Sequence, residues 1–147
     1  MKKQKILEKR IQRVKVLFKE LGYTLVDEDY TDEIFTCEFE KKHGFLGGLY
    51  IDTSNRFLEI AYTFSFSYTL FAYLQSKIEE MLTICYNYGC YCNITKDNEN
   101  FFFSVYSKVY YSGLSYHSLR DTLREFFMCI QDVTRLLDFN NMKNRGN

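Results

Sequence analysis

The 147-residue sequence has no proline, no tryptophan, only two histidines and no net charge. Nineteen basic residues balance nineteen acidic ones. That argues against a protein that tracks a phosphate backbone, because such proteins carry a basic excess. No uninterrupted apolar run approaches the roughly 18 residues that a membrane-spanning helix needs. Nucleic acid and membrane are therefore not expected partners. The opening Met1-Lys-Lys-Gln-Lys-Ile-Leu-Glu-Lys-Arg10 is charged too densely to hold the apolar stretch of a signal peptide. The cysteines are odd in number: Cys37, Cys85, Cys90, Cys92 and Cys129. Without a secretion signal they read as reduced thiols, so a cytoplasmic protein without disulfides is expected.

What is present is an ordinary globular balance, with 46% apolar and 26% charged residues, and an excess of Tyr and Phe. The length suits one domain spanning 1–147, large enough to bury about 70% of the surface its unfolded chain exposes. Leu7, Ile11, Val14, Phe18 and Leu21 follow spacings of 4, 3, 4 and 3, which predicts a helix over 2–21 stopped by Gly22. The period then changes. Phe35, Cys37 and Phe39 alternate with Thr36, Glu38 and Glu40. Leu58, Ile60, Tyr62, Phe64 and Phe66 alternate with Phe57, Glu59, Ala61, Thr63 and Ser65. Asp52-Thr-Ser-Asn55 between them is a cluster of turn formers. Three or four strands are expected within 23–66, and the short gaps demand antiparallel pairing. Helical spacing returns at Leu70, Leu74, Ile78, Met81, Leu82 and Cys85. It predicts a helix over 68–88, capped by Ser67 or Thr69 and stopped by Gly89.

Two further strands are expected within 90–111, turning at Lys96-Asp-Asn-Glu-Asn100. A last helix is expected over 116–138, with Leu119, Leu123, Phe126, Phe127, Ile130, Val133 and Leu137 as its stripe. It is expected to start near Ser115 or Ser118, and Ser118-Leu-Arg-Asp121 resembles a capping box with Asp replacing Glu. Residues 140–147 read as a polar tail. The predicted class is α+β: an antiparallel sheet of five or six strands with three helices, in the order α-β-β-β(-β)-α-β-β-α.

This order resembles that of the YbjN-like proteins and the type III secretion chaperones across residues 2–138. Three segments carry the likeness. One is the hairpin Tyr50-Ile-Asp-Thr-Ser-Asn-Arg-Phe-Leu-Glu-Ile60. The others are the strand Phe101-Phe-Phe-Ser-Val-Tyr-Ser-Lys108 and the loop-to-helix passage Gly113-Leu-Ser-Tyr-His-Ser-Leu-Arg-Asp-Thr-Leu-Arg-Glu-Phe126. The resemblance implies a secretion-chaperone-like fold and a protein-binding role. It implies no catalytic residues.

Three local patterns bear on function. Residues 1–20 hold eight basic and two acidic residues, and residues 21–40 hold seven acidic and none basic. Adjacent cancellation favours a solvated basic helix beside an acidic hairpin of the same molecule or a dimer mate. Cys90-x-Cys92 puts two thiols on one strand face. Zinc sites favour ligand pairs two to four residues apart and redox motifs two intervening residues, so no metal or cofactor is expected. His43 and His117 read as surface residues without a nucleophile beside them, so no catalytic site is expected and the chain does not read as an enzyme.

The third pattern is the most informative. Phe102, Tyr106 and Tyr110 share one side of the last strand, opposite Phe101, Phe103 and Val105, and Tyr91 can join them from the neighbouring strand. Large exposed apolar patches mark interfaces, and Tyr is enriched there. The expected function is a non-enzymatic protein-interaction domain binding a partner polypeptide, or itself as a homodimer, through this aromatic face. The alternative is a small-molecule-binding α+β domain with a Phe- and Tyr-lined pocket between sheet and helices. A second core layer is the structural explanation of the same rings.

Overall fold

A computed structural model describes residues 2–42 and 44–137. The elements run α1 (Lys2–Glu20), β1 (Thr24–Tyr30), β2 (Ile34–Lys41), β3 (Gly44–Asp52), β4 (Phe57–Ser67), α2 (Phe71–Asn87), β5 (Tyr91–Lys96), β6 (Asn100–Tyr110) and α3 (Tyr116–Leu137). Short 3-10 turns at Tyr68–Leu70 and Tyr111–Gly113 precede α2 and α3. The six strands form one sheet in the order β1-β2-β3-β4-β6-β5, and the hairpins at both ends pair antiparallel. The expected α+β class and element order are therefore observed, with four strands in the first group. Among the described residues no helix is long and apolar enough to cross a membrane. His43 and the tail lie outside the described residues.

The contacts gather the chain into two units. One comprises residues up to Tyr62 together with Ser107–Leu123. Here α1 buries the predicted Leu7, Ile11, Val14 and Phe18, while Leu21 is half-buried. Phe18 meets Phe39 of β2 at 5.3 Å, with Tyr23 against both rings. Glycine ends the helix for a physical reason. Gly22 sits at φ +91°, which lets Gly22 N–H donate to Lys19 O and Tyr23 N–H to Phe18 O. That double bond is a Schellman cap, and it carries Tyr23 back over Phe18. Gly47 meets a different demand. A Cβ there would lie 2.9 Å from both the Ala61 carbonyl and the Phe39 ring, its cross-strand partner.

The basic residues of α1 are used at least in part within this unit. Lys15 pairs with Glu28 at 2.8 Å and Lys3 with Glu33 at 3.2 Å, so the acidic hairpin meets the basic helix of its own chain. Arg10 donates to the carbonyls of Asp52 and Asn55 and lies over the Tyr111 ring. Arg13 donates to the carbonyls of Tyr111 and Leu114. The Asp52–Asn55 turn is further closed by Asp52 accepting from Asn55 N–H and Nδ2. This is how the turn cluster read from sequence is held.

The other unit comprises Thr63–Tyr106 and, among the described residues, 124–137. Ser67 caps the turn before α2 by accepting from Thr69 N–H. Leu74, Ile78 and Met81 of α2 pack on Phe66, Ile94, Phe101 and Phe103, leaving a residual space of about 20 Å³. Gly89, at φ +68°, repeats the Schellman cap: Gly89 N–H donates to Tyr86 O and Cys90 N–H to Cys85 O. Two tyrosines clasp α2 to α3. Tyr73 donates to the Leu137 carbonyl at 2.7 Å and Tyr88 to Asp132 at 2.5 Å.

One local expectation is corrected. The capping box of α3 is not Ser118 to Asp121 but Ser115 to Ser118. Ser118 N–H donates to Ser115 Oγ at 3.1 Å, and Ser115 N–H donates to Ser118 Oγ at 2.8 Å. The helix starts at Tyr116, so Ser118 is its third residue and closes the box in the place of the usual Glu. Ser115→Ala is expected to cost about 1 kcal/mol in chemical denaturation, the ordinary value of an N-cap.

Candidate functional site

The buried side of the strands carries Phe35, Cys37, Phe39, Leu49, Ile51, Leu58, Ile60, Phe64, Phe66, Phe101, Phe103 and Val105. Helix rings reach this side: Phe18 of α1 touches Phe39, and Phe71 of α2 touches Phe101. The alternating residues point the other way, and the four predicted site residues are among them.

In the unit of Thr63–Tyr106, Tyr91 of β5 is the direct partner of Tyr106 of β6, and Thr95 is the partner of Phe102. Tyr91 and Tyr106 stack at 5.3 Å with an interplanar angle of 18°. Tyr91 is 39% exposed, and Phe102 and Tyr106 are half-buried. Between Phe102 and Tyr106 lies Ser104, buried and bonded to Thr63 of β4 at 2.8 Å. The polarity of this buried hydroxyl is met by its neighbour, which is why a serine is tolerated there. Tyr110 falls in the unit of residues up to Tyr62 and Ser107–Leu123. It packs edge-on against Phe57 at 5.6 Å, and the Lys108 ammonium lies 4.8 Å over Phe57 and 5.4 Å over Tyr110. Tyr110 is 49% exposed. On the same side Tyr50 faces Glu59 across β3 and β4. Burial, then the nearby Asp52 and Glu59 carboxylates, push its phenol above the ordinary value and keep it protonated.

Thus the structure brings Tyr91 onto Tyr106 as the alternation implied. It gives Tyr110 a separate cluster with Phe57 and Lys108. The Lys108 cation over two rings was missed, although its place between Tyr106 and Tyr110 on one strand face carried that signal.

The thiols form a row that spacing did not reveal. Cys129 donates to Cys85 at 3.9 Å, both buried. Cys92 lies near Cys85, and Cys90, which donates to the Tyr88 carbonyl, lies near Cys129. The Cys85 contact, then Cys90, holds the Cys129 thiol above its ordinary value, and burial pushes Cys92 up to about 11. Cys37, in the other unit, is pushed by burial up to about 12. The Cys129 contact instead holds the Cys85 thiol below its ordinary value. Packed thiols of this kind behave as small apolar groups. Among the described residues no group of three or more His, Cys, Asp or Glu is arranged to hold a metal ion. His117 is exposed and meets only the Tyr116 ring among the contacts that define it, edge-on at 5.5 Å.

Open depressions occur along α1. One of about 580 Å³ is lined by Lys9, Gln12, Arg13, Lys15, Val16 and Leu17, and one of about 290 Å³ by Lys15, Lys19, Tyr23, Thr24 and Leu25. The first is a groove on the helix surface and the second lies between α1 and the start of β1; both have basic side chains in their walls, and Tyr23 is the one aromatic among the residues that line them.

No protein-family model and no curated protein matches the chain. Solved structures that share its fold include two at low sequence identity. An uncharacterized protein from Methanothermobacter thermautotrophicus superposes with a TM-score of 0.68 at 15% identity, over 88% of this chain and 96% of the other. YbjN from E. coli, a suggested transcription regulator, superposes with a TM-score of 0.54 at 10% identity, over 90% of this chain and 93% of the other. At these identities the likeness is one of fold, and the fold is YbjN-like.

Proposed function

We propose that this chain is a non-enzymatic, cytoplasmic protein-interaction domain. It binds a partner polypeptide, or a second copy of itself, through the aromatic side of its last two strands. The observation that carries this reading is the stacked Tyr91–Tyr106 pair, which shares with Phe102 the side opposite the buried Phe101, Phe103 and Val105. Rings held in place before binding lose little further conformational freedom on contact, and Tyr offers apolar area with a polar rim. The resemblance to secretion chaperones supports a polypeptide client. The small-molecule alternative is less well supported, because the space between α2 and its strands is about 20 Å³, against the several hundred of a ligand pocket.

Tyr106→Ala tests the proposal. It is expected to weaken self-association or client binding by about 1–2 kcal/mol, the usual effect of losing an interface aromatic. Thermal and urea stability of the folded chain should change far less. If the variant is strongly destabilised and binds unchanged per folded molecule, the ring belongs to the fold alone.

A further inference from the structure

The two edges of the sheet are unlike. β1 closes one end of the strand order and β5 the other. β1 carries Asp27, Glu28 and Asp29, and its register shifts between Val26 and Asp29, where Asp27 sits at φ 53°. A bulge and a run of carboxylates are the ordinary means of blocking strand addition. β5, Tyr91-Cys-Asn-Ile-Thr-Lys96, has no such protection. Its register with β6 is continuous for six residues, it has no acidic residue, and its one charge, Lys96, is at its end. Ile94, on the same side as the buried Phe103 it pairs with, is 51% exposed. An edge in regular register, without acidic residues and partly apolar, is a template for another strand.

We infer that β5 pairs antiparallel with β5 of a second copy of this chain, about a two-fold axis at Asn93, joining two sheets edge to edge. The inference rests on the reading of this chain as an interaction domain and names its partner and its edge. Three arguments select a second copy. First, the segment is self-complementary. With Asn93 opposite its own counterpart, Tyr91 meets Thr95 of the other copy and Cys92 meets Ile94, so no charge opposes a charge and Lys96 falls outside the pairs. Second, the register with β6 extends the aromatic rows. Thr95 pairs with Phe102 and Tyr91 with Tyr106 within a chain. Each row across the axis then reads Phe102, Thr95, Tyr91 and Tyr106, the last two from the other copy, and the exposed Tyr91 gains a neighbour on its outer side. Third, the contact closes. Pairing the same edge twice gives a two-fold dimer whose outer edges are both the blunted β1, whereas β5 adding to β1 would propagate without end.

A charge exchange at the axis tests this. Asn93 is exposed, so Asn93→Lys and Asn93→Asp leave the packed side intact. In a two-fold pair each places two like charges directly opposite each other, and the mixture places opposite ones there. Sedimentation of the wild-type chain should show a dimer. Each single variant should dissociate at least tenfold more readily, with circular dichroism and melting close to wild type. Equimolar mixing should restore the dimer. A wild-type monomer at tens of micromolar overturns the inference. So does a dimer that neither variant weakens, or one that mixing fails to restore. In these last cases, an association still weakened by Tyr106→Ala would keep the aromatic-face reading while removing β5 as its edge. An association indifferent to all three variants would remove both.

Discussion

Phe39→Ala is expected to lower the unfolding free energy by about 3–5 kcal/mol, the range for deleting a fully buried phenyl ring. Phe39 has no exposed surface, and its ring packs against both Phe18 of α1 and Tyr23 of the turn that follows. Its loss would therefore loosen both the helix packing and the Schellman cap that brings Tyr23 there. A domain of this kind is stable by only about 5–15 kcal/mol, so the loss is a large share of the whole. The opposite error at the same place is also costly. Gly47→Ala would put a methyl 2.9 Å from the Phe39 ring and from the Ala61 carbonyl. Overpacking of that sort costs about 1–3 kcal/mol. The two changes share one space, so they should not add. The double variant should be more stable than the sum of the single losses predicts, because removing the ring leaves room for the methyl. The Ala61 carbonyl stays in place, so recovery should be partial. Urea midpoints of the four proteins measure this, and strict additivity would show that Phe39 and Gly47 do not share the space the contact distances give them.

Most of the fold was legible because its signals are local and periodic. The stripe from Leu7 to Phe18, the alternation of Phe35, Cys37 and Phe39, and the glycines at 22 and 89 each state a local geometry. Partnership between distant segments is not stated in that way. Cys85 lies on the buried stripe of α2 and Cys129 on that of α3, and each reads as a core residue. That their sulfurs meet at 3.9 Å depends on how the helices cross. The Arg10 and Arg13 bonds to carbonyls 42 to 101 residues away are of the same kind. In the sequence they read only as part of a solvated basic face. Tyr91 and Tyr106 were placed on one side by alternation, but their direct opposition depends on hairpin register. That register is set by the turn after Lys96, where Asp97 Oδ1 accepts from the backbones of Glu99 and Asn100. The β1 bulge was invisible for a simpler reason. Asp27, at φ 53°, is one of the few residue types that enter the left-handed region, and the sequence around it has no glycine to announce the turn.

Stability is expected to fall as pH rises above about 9, and Cys37 is one of the groups responsible. Burial, then the nearby Glu28 carboxylate, pushes its thiol from 9.0 to about 12. In the unfolded chain the same thiol titrates near its ordinary value, so between those limits the folded state holds a proton that the unfolded state has released. Unfolding then becomes more favourable with each step in pH. The contribution is fully present below pH 9 and is lost progressively as pH approaches 12. A displacement of that size corresponds to about 4 kcal/mol at its limit, for a side chain that is 5% exposed. Cys92, raised to about 11, and Tyr111, raised by its burial, act in the same direction. So does Lys15, which the Glu28 ion pair holds above its ordinary value. Cys37→Ala separates the thiol from these. The variant should be less stable at pH 7, because a buried sulfur is lost, yet its urea midpoint should fall less steeply between pH 8.5 and 11. Parallel wild-type and variant profiles over that range would show that Cys37 ionises as readily folded as unfolded, and that the packing around it admits the charge.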